Sequence, residues 1–135
     1  MSKFDQKTQL EIAELKGQLA QTQKNTKLLE DHAYPIECPK PLDTVGTLVQ
    51  IINFLKEMAS EAEKQLTEIG ETNQLKAAEL KGSLKQLKED IQFIEMRMMP
   101  YKFGSTRMST TQELVQIIHC FKTIATHKQR RLNEF

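Results

Sequence analysis

The sequence predicts an all-α, coiled-coil-like protein built from two tandem antiparallel helical hairpins. Three observations predict it. Apolar residues recur at alternating steps of three and four, the chain repeats itself at a shift of 65 residues, and proline-bearing breaks fall at matching places in the two copies.

The repeat is read directly. Ala13-Glu14-Leu15-Lys16-Gly17 returns as Ala78-Glu79-Leu80-Lys81-Gly82, and Pro35 falls on Pro100. One loop residue later, Leu48-Val49-Gln50-Ile51-Ile52 returns as Leu114-Val115-Gln116-Ile117-Ile118. Low complexity among helical residues does not produce matched prolines and five-residue identities together, so the chain divides into a first helix-loop-helix unit, 1–69, and a second, 70–135, within one elongated structure.

The first helix of the first unit carries a seam at Ile12, Leu15, Leu19, Thr22, Thr26, Leu29 and Ala33, matched by Ala77, Leu80, Leu84, Leu87, Ile91, Ile94 and Met98 in the second. Thr22 and Thr26 stand where the second copy has Leu87 and Ile91. Polar seam residues weaken packing, so the first helix is either the one that exchanges partners or simply one whose partly exposed seam tolerates polar residues. The segment Tyr34 to Thr44 holds Pro35, Pro39 and Pro41, and Met99 to Ser109 holds Pro100 and Gly104, so neither is helical throughout. Helix starts follow at Asp43 or Thr44 and at Ser109, where Gln112 completes a capping box.

The later helices carry Leu48, Ile52, Leu55, Ala59, Ala62, Leu66 and Ile69, matched by Leu114, Ile118, Phe121, Ala125, Lys128, Leu132 and Phe135. Val49, Ile51, Met58, Val115, Ile117 and Ile124 widen the stripe beyond what one facing helix covers. The joint between the units holds Gly70 and no proline, and reads as a stutter rather than a stop. A glycine inside a helix costs only about 1 kcal/mol, so the favoured architecture is three helices with a continuous middle one from about 43 to 98, roughly 80 Å long at 1.5 Å per residue. The alternative is a bend near Gly70 that folds the hairpins into a compact four-helix bundle.

A stripe this wide needs a second covering surface. The residues expected to pack against a partner helix, in a homo-oligomer or a hetero-complex, are Leu15, Leu19, Leu48, Ile52, Leu55, Leu80, Leu84, Leu87, Ile91, Leu114, Ile118 and Phe121. The expected function is therefore that of a non-enzymatic adaptor. With 19 basic and 18 acidic residues the net charge is +1, so no global field draws the chain to nucleic acid or anionic lipid. A basic cluster in the last helix, Lys122, Lys128, Arg130 and Arg131, supports the alternative of direct contact with an acidic filament or nucleic acid. The competing account is that cations suit the end of a helix dipole.

His32, His119, His127, Cys38 and Cys120 form no metal-ligand spacing, the glycines form no phosphate loop, and no nucleophile and base share a motif, so neither cofactor, metal nor catalytic site is expected. Two cysteines make no disulfide framework, which places the chain in a reducing, cytoplasmic setting. The polar first residues do not read as a secretory signal, and the longest apolar run, 48–55, is too short to span a bilayer. The loop tips around Tyr34 to Leu42 and Met98 to Phe103 are expected to plug the hairpin ends or dock partners.

Overall fold

In the computed structural model, residues 5–33, 44–70, 72–103 and 109–135 are described. They form four helices and no strands: α1 (Gln6–Ala33), α2 (Thr44–Ile69), α3 (Gln74–Lys102) and α4 (Thr110–Asn133). The continuous middle helix is thus replaced by the alternative, a four-helix bundle.

The break has a local cause. Gly70 takes φ 56°, the left-handed conformation that ends helices and that only glycine reaches without strain. The Thr72 hydroxyl donates to the Ile69 carbonyl at 2.6 Å, and the Asn73 side chain accepts from the Lys76 backbone N–H at 3.0 Å. A C-terminal stop and an N-terminal cap are thus packed into four residues, too few to show as a gap in the apolar spacing. A Cβ at Gly70 would meet nothing within 4 Å, so Gly70→Ala is penalised by conformation alone. The expected loss is about 1 kcal/mol, read as a lower urea midpoint.

At the other end of α3, Pro100 lies inside the last turn and Lys102 is the final helical residue, so the proline does not stop the helix at 98 and Lys102 is not a loop residue. The capping box of α4 forms as its sequence implies: Ser109 Oγ accepts from the Gln112 N–H at 3.2 Å and Gln112 Oε1 accepts from the Ser109 N–H at 2.9 Å. The loop Tyr34 to Leu42 with Cys38, and residues Gly104 and Arg107, lie outside the described residues.

The hairpins do not pack on themselves. α1 packs mainly against α3 and α4, α2 packs against α3, and α1 and α2 scarcely meet. Each unit's second helix lies on the first helix of the other unit. Two features force this exchange. The short Gly70 turn holds α2 beside α3, and α1 and α3 run parallel in close contact, occupying each other's inner face. At Gly17 a Cβ would overlap the backbone carbonyl of Glu79, and at Gly82 that of Glu14. The repeated Ala-Glu-Leu-Lys-Gly motif therefore meets itself, each glycine lying over the other copy's glutamate backbone.

Residues that the self-alignment makes equivalent also meet elsewhere: Asn25 with Asp90, 65 apart, and Thr44 with Thr110, 66 apart. The core gathers at the end where all four helices converge, around Leu29, Leu48, Ile51, Leu55, Leu87, Ile94, Leu114, Ile117 and Phe121, each at most 1% exposed. Burying each such side chain contributes about 1.5–3 kcal/mol.

Candidate functional site

The residues expected to await a partner helix are largely used inside the chain. Leu15, Leu19, Leu48, Ile52, Leu55, Leu87, Ile91, Leu114, Ile118 and Phe121 are buried, while Leu80 and Leu84 are half-buried. The second unit covers the stripe of the first. Thr22 and Thr26 are buried too, and their hydroxyls donate to the Gln18 and Thr22 carbonyls one turn back, which satisfies them within α1.

Two polar constellations lie in this interior. Between α1 and α3, Gln21 Nε2 donates to Asn25 Oδ1 (2.8 Å), Asn25 Nδ2 to Asp90 Oδ2 (2.6 Å), and Gln86 Nε2 to Asp90 Oδ1 (2.8 Å). Asp90 is 1% exposed, and burial pushes its carboxyl up to about 6 against the lowering pull of the Asn25 and Gln86 hydrogen bonds. Glu89 on α3 and Lys128 on α4 are the charged groups that act on it. The buried Gln86 Oε1 has no hydrogen-bond partner among the described residues.

Because the folded-state value lies above the ordinary 3.8, the folded state holds the proton more tightly. Stability is then lost as pH rises from about 4 through 6 and is level above that. Asp90→Asn removes the buried charge. Relative to this variant, the native chain is expected to lose roughly 2 to 3 kcal/mol between pH 4 and 7, measured by urea denaturation across that range.

The second constellation ties α3 to α4. Arg97 Nε and Nη2 donate to Glu113 Oε1 and Oε2, both at 2.8 Å, and Arg97 Nη2 also donates to Gln116. The Tyr101 hydroxyl donates to Glu113 Oε2 at 3.1 Å. Glu113 is 1% exposed, and its pairing with Arg97 raises the guanidinium pKa further. The sequence reading missed both groups. A usable signal existed, since Gln21/Gln86 and Asn25/Asp90 repeat as polar residues at equivalent positions beside the seam.

The equivalent of Arg97 in the first unit is His32, and that of Glu113 is Thr47. His32 Nδ1 lies 2.9 Å from the Leu28 carbonyl of its own helix, and no ion pair joins α1 to α2 among the described residues. The α1–α2 side is therefore open. It forms a groove of about 500 Å³ lined by Lys24, Lys27, Leu28 and Asp31 of α1 and by Phe54, Glu57, Met58 and Glu61 of α2. Phe54 is 41% exposed, its ring tilted 59° to that of His32 with centroids 6.0 Å apart. On the opposite side Phe93 packs on Phe121 at 5.9 Å, beside the Arg97 bridge.

The basic residues of α4 do not converge. Lys122, Arg130 and Arg131 are exposed and Lys128 is half-buried. Lys128 donates to Gln18 Oε1 of α1 at 2.6 Å, and burial lowers its pKa. Residues turn by about 100° each along a helix, so Lys122 and Arg131 point to roughly opposite sides. Among the described residues, no three His, Cys, Asp or Glu side chains are placed to hold a metal, and Cys120 is exposed. No helix there is long and apolar enough to cross a membrane.

Fold and surface together define a four-helix bundle with one tied side and one open, charge-rimmed side. Comparison with family models, curated proteins and solved structures gave no match.

Proposed function

We propose that the chain is a non-enzymatic adaptor: a self-contained helical body that joins a larger complex by receiving a helix of another molecule. The observation that carries this reading is the groove between α1 and α2, where Leu28, Phe54 and Met58 present apolar surface between two helices that scarcely touch. Covering apolar area yields about 25 cal/mol per Å², and an aromatic ring at the centre of a groove is a common anchor for binding energy.

The interior seam does not call for a homodimer mate, because the second unit already covers it. Contact with a filament or nucleic acid through α4 is the weaker reading, since its cations face different directions and Lys128 is engaged within the fold. The test is affinity purification of the tagged full chain from its native cell, with the mass of the recovered complex measured. Phe54→Asp is expected to lower stability by about 1 to 2 kcal/mol, because the ring is 41% exposed and packs beside His32, while leaving the bundle folded and removing the partner. Recovery of the same complex by the variant overturns the reading.

A further inference from the structure

Resting on the adaptor reading, we infer that the occupant of the α1–α2 groove is an amphipathic helix with acidic residues along one flank of its apolar seam and basic residues along the other. The two rims of the groove carry opposite charge. Lys24 and Lys27 stand on α1, and Glu57 and Glu61 stand on α2. All four are exposed, and no ion pair crosses the groove among the described residues. No direct ion pair thus joins the rims, and a body seated on Leu28, Phe54 and Met58 comes between them.

The groove covers Lys24 to Asp31 on one side and Phe54 to Glu61 on the other, about 12 Å or two helical turns at 1.5 Å per residue. Residues flanking a helical seam sit beside the neighbouring helices and select partners by charge. Acidic flank residues therefore face Lys24 and Lys27, basic ones face Glu57 and Glu61, and this polarity sets the direction in which the helix lies. Asp31, at the end of the α1 rim, marks where the acidic flank stops.

The α3 end of a second copy does not meet the requirement. The exposed apolar stripe at the end of α3, Met96, Met99 and Phe103, carries Glu95 and Lys102 together on one flank and uncharged Pro100 on the other, so it lacks two opposed flanks.

The test uses the full chain and three synthetic helical peptides that share one leucine seam. The first has Glu on one flank and Lys on the other, the second has Glu on both, and the third has Lys on both. Binding is read by fluorescence anisotropy at low and high salt. The mixed peptide is expected to bind about tenfold tighter than either uniform one, with the margin shrinking as salt rises. In the double variant Lys24→Glu, Lys27→Glu both rims are acidic, and the all-lysine peptide is expected to become the tightest. Phe54→Asp is expected to abolish binding of all three.

Equal affinities for the three peptides, no binding of any, or a preference untouched by the Lys24/Lys27 reversal overturns the inference. So does sedimentation showing that the free chain dimerises through Phe54. If the native complex is lost on Phe54→Asp yet is indifferent to the reversal, the charge assignment fails while the adaptor reading stands.

Discussion

Arg97→Met is expected to lower the unfolding free energy by about 3 to 5 kcal/mol, the usual cost of leaving one member of a buried ion pair without its partner. Glu113 is 1% exposed and takes three of its hydrogen bonds from Arg97 and Tyr101. Removing the guanidinium leaves a buried carboxylate that keeps the Tyr101 hydroxyl, which cannot neutralise its charge. The reverse change, Glu113→Gln, costs less, because Arg97 keeps 35% of its side-chain exposure and turns to solvent. Urea denaturation at neutral pH distinguishes the two, and a smaller loss for Arg97→Met than for Glu113→Gln contradicts the assignment.

Gly17→Ala and Gly82→Ala are each expected to destabilise the bundle by about 3 kcal/mol, the upper range for forcing extra volume into a packed site. In an exposed helix interior the same substitution gains about 1 kcal/mol, so the sign itself is diagnostic. The obstructing atoms are backbone carbonyls of Glu79 and Glu14, which cannot rotate away as a side-chain end would. The helices must separate instead, which loosens Ala13, Ala78 and the Gln21–Asn25–Asp90–Gln86 chain packed nearby. Because either methyl pushes α1 off α3, the double variant is expected to lose less than the sum of the singles. A stabilising effect of either alanine, in urea or by thermal melting, shows that the close approach is absent.

Much of the helical content was legible from local rules. Leu48, Ile52, Leu55, Leu114, Ile118 and Phe121 lie inward because a side chain's direction along a helix follows from its position alone. Ser109 and Gln112 make the cap their spacing implies. The glycines misled for a physical reason. At Gly70 the signal was a backbone conformation, which composition does not record, and at Gly17 and Gly82 it was the nearness of another helix. The open groove was hidden similarly, since Phe54 and Met58 read as part of a wide stripe until the position of α2 was known.

From its residues alone, this chain determines that it is helical, that it carries one pattern twice, and which positions are apolar, because these depend on spacing within a few turns. Only the tertiary structure decided which helix covers which. That choice rests on contacts between residues 65 or 66 apart, Asn25 on Asp90 and Thr44 on Thr110, and on two glycines that let parallel backbones touch. Such terms arise only when distant segments meet, and they turn an apparent need for an outside partner along the seam into a covered core with one side left open.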